Sequence, residues 1–240
     1  MRIAWTIEAR DVKRVHELVA KYEDHPIVRD RKKRNVERVG VSRSKGSVWR
    51  VIVGCLLTTQ QKSGPDSRVA RFVRDGSELF RFSACARKRK LASFAESTIS
   101  RYGLRRAATI GREIEANFLW LSDGGWTKLR QHLKAFKSGS PARLEREVAS
   151  FVSANLSGFG PKQSRNMLQW LGLTQHEIPL DSRVLKWLNK SGFPIHLSAQ
   201  GLADEAYYCL VLDGVQELCS YAKVLPCIFD AAVFASFERN

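Results

Sequence analysis

The sequence predicts an all-α protein of about ten or more short helices. Three observations carry this. Apolar residues recur at three- and four-residue spacing, no apolar–polar alternation persists beyond a few residues, and glycine and proline sit where the helical stretches start and stop. Hydrophobic residues make up 44% of the 240 and aromatics 10%, which supplies a core and excludes disorder along the whole chain.

Taken in order, Asp11 caps a helix whose Val12, Val15, Leu18 and Val19 share one face. Ser47 opens a helix over Val48–Thr59 that is apolar nearly all round, which marks it as central. Pro65 and Asp66 begin another, with Val69, Phe72 and Val73 on one side, and Leu104–Leu121 is long and amphipathic through Ile110, Ile114, Phe118 and Leu121. Ser122–Trp126 and Ser138–Pro141 are turns. Pro141 suits a first helical turn, with Leu144, Val148, Phe151 and Val152 as the stripe that follows. Further helices are expected over Pro161–Leu171, Ser182–Asn189, Leu202–Leu212, around Val215–Val224 and after Pro226.

The formal charge is +16, and it is uneven: residues 1–110 carry +15 while residues 171–240 carry −3. Such a distribution is the footprint of a polyanion binder, although a basic solvated surface reads the same way. The densest positive run, Arg31–Arg34, is either a backbone contact or a solvated loop. The apolar run Val51–Leu57 falls far short of the roughly 18 residues of a membrane span. Charges near the N-terminus stand where a signal peptide needs its apolar stretch, so export is not expected. The five cysteines are scattered with no CxxC pair and the five histidines are dispersed, so a disulfide framework and a metal site are both disfavoured. A reducing, cytoplasmic, nucleoid-associated location is the expectation.

One stretch is far more specific than the rest: LSGFGPKQSRNMLQWLGL, Leu156–Leu173, followed by IPLDSRVLKWL, Ile178–Leu188. Gly158 and Gly160 bracket a tight turn that can expose backbone N–H groups, Pro161 takes a first helical position and Gly172 a C-terminal stop. Ser164, Met167, Leu168 and Leu171 form the inward stripe. A helical hairpin of this kind presents amides and a positive helix end to a phosphate. On its own, it also reads as an ordinary packing motif.

The stretch resembles the helix-hairpin-helix of the HhH-GPD DNA glycosylases, the superfamily of endonuclease III and 8-oxoguanine DNA glycosylase. Lys162, directly after the hairpin, matches that family's nucleophilic lysine, and Asp181, in IPLDSRV, its essential aspartate. LLTTQ, Leu56–Gln60, is similar to the segment that ends in the residue plugging the gap left by a flipped base. The resemblance implies a two-lobed fold. A six-helix barrel would span 47–172 with the hairpin at 156–173, and a second helical lobe would join 1–46 to 173–240, with Lys162 and Asp181 facing each other across the cleft. It further implies a bifunctional N-glycosylase and abasic-site lyase, acting as a monomer on double-stranded DNA with a damaged or modified base, 8-oxoguanine by default. DNA contacts are expected from Gln60, Gln61 and Lys62, from Gly158 and Gly160, and from Arg165 and Arg183. No cofactor or membrane is expected, beyond a monovalent cation that can bridge hairpin and phosphate.

The residue types suit these roles. Attack on the sugar C1′ needs an uncharged amine, and the positive end of a helix dipole disfavours an ammonium at Lys162, as does desolvation by the substrate. The alternative is a lysine that touches phosphate. Asp181 would stabilise positive charge on the sugar, or serve simply as an N-cap. Gln60 is a plug or a surface loop residue. Arg183 stands where many family members have histidine. The four-cysteine iron–sulfur loop of the endonuclease III branch is absent, since Cys209, Cys219 and Cys227 are too widely spaced. Phe229, Asp230, Phe234 and Phe237 either line a base pocket or pack the core. A glycosylase for a hypermodified base of viral DNA, a non-catalytic DNA-binding module and an RNA-binding protein are the rival readings.

Overall fold

The computed structural model describes all residues except 1–3, 62, 63, 65, 138, 239 and 240. Among the described residues the regular elements are helices, with no strand. The chain divides into a central unit, Ser42–Lys137 with Ser150–Phe159, and a terminal unit, Met1–Val41, Ser138–Ala149 and Gly160–Asn240.

The terminal unit begins with α1 (Ala9–Tyr22) and α2 (Pro26–Arg31). Asp11 acts from inside the first turn of α1, where its carboxylate accepts the Glu8 N–H (3.1 Å). The central unit runs through α3 (Lys45–Leu57), α4 (Arg68–Asp75), α5 (Phe82–Cys85), α6 (Leu91–Ser100), α7 (Ala107–Trp120) and α8 (Trp126–Ala135). Ser44 caps α3, because its hydroxyl accepts the Ser47 N–H, so the helix starts before the expected Ser47. Trp49 anchors the buried face of α3, donating its indole N–H to the Leu79 carbonyl (2.8 Å) with Phe82 and Phe118 edge-on. Ser67 caps α4; of the expected Pro65–Asp66 start, Pro65 lies outside the described residues. The turn expected at Ser122–Trp126 is a kink at Asp123 and Gly124.

The helices α2, α5, α6 and α8 have no counterpart among the expected elements. The sequence of α6, LASFAESTIS, carries three serines, a threonine and an isoleucine, all of modest helix propensity, and packing against α7 is what holds it. Gly111 permits that approach, since a Cβ there would stand 2.6 Å from the Ala92 carbonyl oxygen.

The chain passes from the terminal unit into the central one along α9 (Ala142–Asn155) and returns at Gly160 into α10 (Pro161–Trp170). Then follow α11 (Ser182–Lys190), α12 (Glu205–Tyr221) and α13 (Pro226–Ser236). The core of the terminal unit gathers Val15 with Ile178, Leu180, Val184, Leu188, Tyr208, Val215, Phe229 and Val233. The two helices expected over Leu202–Leu212 and Val215–Val224 are one. Gly214 does not break α12; it makes room for Trp5, whose ring would lie about 3 Å from a Cβ at that position.

These units differ from the expected 47–172 and 1–46 plus 173–240. Residues 160–172 belong to the terminal unit, because α10 is bonded into it along its length. Gln169 donates to Asp230 (2.9 Å), and buried Asn35 donates to the Gln169 and Thr174 carbonyls (3.1 and 2.8 Å).

Candidate active site

The first turn of α10 places Lys162. Gly160 is its extended N-cap and Pro161 its first residue. The Ser164 N–H returns to the Gly160 carbonyl (3.0 Å), and the Ser164 hydroxyl donates to the Pro161 carbonyl (2.9 Å). Lys162 is half-buried, and among the described residues its amine makes no ion pair or hydrogen bond. An amine in that position is available to a substrate and lies at the positive end of the helix.

Asp181 is held at both oxygens. One accepts the Arg183 and Val184 N–H groups (2.8 and 3.1 Å) as the N-cap of α11, and the other accepts from the Arg183 guanidinium (2.9 Å). The segment leading to it is held by buried groups. Glu145 accepts the N–H groups of Gln175, His176 and Glu177, each at 2.8 Å. Burial pushes the Glu145 carboxyl up to about 7, against the downward pull of those three donors. Closer to Asp181, the Tyr208 hydroxyl accepts the Leu180 N–H (2.7 Å) and donates to the Ile178 carbonyl (2.9 Å).

A second carboxylate lies near enough for its charge to be felt. Asp230, on α13, is buried and paired with Arg31 (2.6 Å). Burial raises its pKa, Arg31 opposes that shift, and the negative charge of Asp181 adds to it. Asp230 is therefore neither plain core nor an exposed pocket residue. Phe229 is core, Phe237 is exposed, and Phe234 carries the Arg183 guanidinium over its ring at 3.9 Å. Arg183 is thus committed to Asp181 and Phe234, where the sequence left it a phosphate contact.

In the central unit, the hairpin turn is clamped by Asn117. This buried amide accepts the Ser157 N–H (2.7 Å) and donates to the Ser157 carbonyl (2.9 Å). Gly158 has φ +82°, and a Cβ there would lie 2.6 Å from Leu56 Cδ2 and 2.7 Å from Glu113 Cδ, so any other residue would strain the backbone and displace those side chains. Gly158 and Gly160 are both exposed. The Leu156, Ser157 and Phe159 carbonyls accept bonds from the Phe159 N–H, Asn117 and Ser153, so a monovalent cation at the turn would compete for their remaining lone pairs. Among the described residues no cluster of three or more His, Cys, Asp or Glu side chains could hold a metal ion.

The two expected plug candidates separate. Gln61 is tied down, its amide donating to the Leu57 carbonyl (2.9 Å) and accepting the Arg105 N–H (2.7 Å). Gln60 is exposed on a left-handed backbone, φ +56°, a conformation uncommon for a residue with a side chain. Lys62 lies outside the described residues.

Three expectations change. Arg165 is fully buried, with its guanidinium spent on Glu177 (2.9 Å) and Glu205 (2.7 Å), so it offers nothing to DNA. The run Arg31–Arg34 is not one patch either. Arg31 is sequestered by Asp230, and Arg34 donates to the Trp170 carbonyl and pairs with Asp30, which leaves the exposed Lys32 and Lys33. Lys162 and Asp181 also fall in the same unit instead of being divided between two.

Neither a protein-family model nor a curated protein sequence matches the chain. Solved structures do. The 8-oxoguanine DNA glycosylase of Thermotoga maritima superposes with a TM-score of 0.71 at 17% identity, over 95% of both chains. That of Methanocaldococcus jannaschii gives 0.67 at 12% identity, again over 95% of both. The chain has the 8-oxoguanine DNA glycosylase fold. A further structure of the archaeal glycosylase/lyase, in complex with a 15-mer DNA containing 8-oxoguanine, matches with a TM-score of 0.62 at 13% identity, over 92% of this chain and 95% of that one. The glycosylase fold accounts for the all-helical architecture seen here.

Proposed function

We propose that the protein is a DNA repair glycosylase with abasic-site lyase activity, excising a damaged base, 8-oxoguanine first, from duplex DNA. The observation that carries the reading is a lysine amine without a described protein partner at the first turn after the hairpin, and a rigidly held aspartate 19 residues on, in a chain of glycosylase fold. In this reading the base is flipped out of the stack and Gln60 fills the gap. The Lys162 amine attacks C1′ with its lone pair as the N-glycosidic bond breaks, and the base departs with the bonding electrons and takes up the proton that the newly bonded nitrogen releases. Asp181 stabilises the positive charge that develops on the sugar. The C1′–O4′ bond then breaks with its electrons on O4′, which takes up a proton from water, and the nitrogen lone pair forms the Schiff base between Lys162 Nζ and C1′. Removal of a C2′ proton then expels the 3′ phosphate by β-elimination, and hydrolysis frees the lysine.

The test is incubation with a panel of duplexes, each carrying one lesion, with and without borohydride. The expected result is strand cleavage at 8-oxoguanine and a covalent complex on reduction. Binding without excision of any lesion would leave a DNA-binding module, and excision confined to bulky modified pyrimidines would change the substrate assignment.

Electrostatic binding is separable from the chemistry. Of the RKKR run, Lys32 and Lys33 alone have exposed side chains without a protein partner among the described residues. If both touch phosphate, Lys32→Gln with Lys33→Gln should flatten the log–log salt dependence of duplex affinity by about two units at most, with excision of saturated lesion DNA unchanged. A salt titration of both proteins measures this; equal slopes would put the pair off the DNA path.

A further inference from the structure

We propose that Arg165 and Tyr208 are positioning residues that together hold Lys162 and Asp181 in register, an inference that rests on the catalytic reading of that pair. The guanidinium of Arg165 reaches the peptide immediately before Lys162, donating to the Pro161 carbonyl (3.2 Å) and to the Ser164 hydroxyl (3.4 Å). Its Nε donates to Glu177 Oε2 (2.9 Å), four residues before Asp181, while the same Nη1 and Nη2 reach the two oxygens of Glu205 (3.0 and 2.7 Å). One rigid fork therefore ties the turn that bears the amine to the segment that delivers the carboxylate. Glu177 is itself fully buried, and its second oxygen accepts from Arg146 (2.9 Å) and Gln216 (3.1 Å).

Tyr208 completes the link. It is fully buried, its ring lies 4.9 Å from the Arg165 guanidinium, and its hydroxyl bridges the Ile178 carbonyl and the Leu180 N–H, adjacent to Asp181. Burial pushes the phenol well above its usual range, so it remains a neutral donor. A buried ion-pair cluster gives no clear advantage in stability over apolar packing of the same volume, whereas it does enforce one geometry, because any slippage leaves charges unpaired. Such rigidity matters where a misplacement of about 1 Å lowers a rate by about a hundredfold.

The test uses the full chain and Tyr208→Phe, which deletes one hydroxyl from an otherwise intact ring. Unfolding should stay cooperative and affinity for lesion duplex should remain within about threefold, while the single-turnover excision rate falls about 10- to 100-fold. In an Asp181→Asn background the same substitution should change the residual rate by less than about threefold, because the partner it positions no longer contributes. Arg165→Lys retains the charge without the fork, and is expected to lower the rate about 10-fold with binding likewise retained. It serves as the second variant should Tyr208→Phe fail to fold. Wild-type rates in a folded variant, or an equal loss in the Asp181→Asn background, would overturn the proposal while leaving the glycosylase reading intact. A wild-type protein that excises no lesion would remove both.

Discussion

Lys162→Gln is expected to abolish the borohydride-trapped complex and to lower base excision by about a thousandfold or more, the scale on which removal of a nucleophile acts. The amine is the atom that must bond to C1′, and glutamine offers no electron pair basic enough to replace it. The fold should barely notice. Lys162 is half-buried and makes no described hydrogen bond or ion pair, so stability should stay within about 0.5 kcal/mol and cooperative unfolding should persist. Duplex binding should survive with its salt slope changed by less than about one unit, in contrast to neutralisation of Lys32 and Lys33. Thermal unfolding, a salt titration and single-turnover trapping on the same preparation separate these effects. Undiminished trapping in the variant would move the nucleophile to another residue.

Asp181→Asn is expected to lower single-turnover excision by about a hundredfold or more, since the lost charge acts mainly where the sugar becomes positive. Asparagine caps a helix about as well as aspartate, so the two backbone bonds to Arg183 and Val184 can be retained. What the folded protein loses is the partly exposed ion pair with Arg183, worth about 1 kcal/mol or less. Asp181→Ala separates the two roles: it removes the cap as well, and should destabilise by about a further 1 kcal/mol. If Asp181→Asn excises at a near-normal rate while Asp181→Ala unfolds more easily, capping is the sole function of this carboxylate.

The elements most legible in the sequence were those determined by neighbours along the chain. Gly158, Gly160, Pro161 and Gly172 mark the hairpin and the limits of α10 because backbone conformation is a local property, and a left-handed φ or a first-turn proline depends on a few residues. Asp181 as an N-cap is equally local. The expected inward positions Ser164, Met167, Leu168 and Leu171 are buried, as periodicity predicts, but so are Gln163, Arg165, Asn166 and Gln169, which it does not. Less legible were α2, α5, α6 and α8. In α6, propensity is modest and the stabilising partner, α7, is reached only in three dimensions.

By itself, then, the sequence determined the helical class, the hairpin, and the pair Lys162 and Asp181 as the residues to test. The tertiary structure decided how the remaining polar groups are spent. Arg165 and Arg183 read alike as surface cations, yet one is sealed between Glu177 and Glu205 and the other lies on Asp181. Gln60 and Gln61 are adjacent and chemically identical, and the partners of Gln61, the Leu57 carbonyl and the Arg105 N–H, together with the exposed left-handed backbone of Gln60, set them apart. Arg31 finds Asp230 across 199 positions, and Tyr208 finds Ile178 and Leu180 across about thirty. The physical reason is the same throughout: a side chain's charge or hydrogen-bonding capacity is fixed by its chemistry, but whether it is spent inside the protein or left for a ligand depends on partners that only folding brings within about 3 Å.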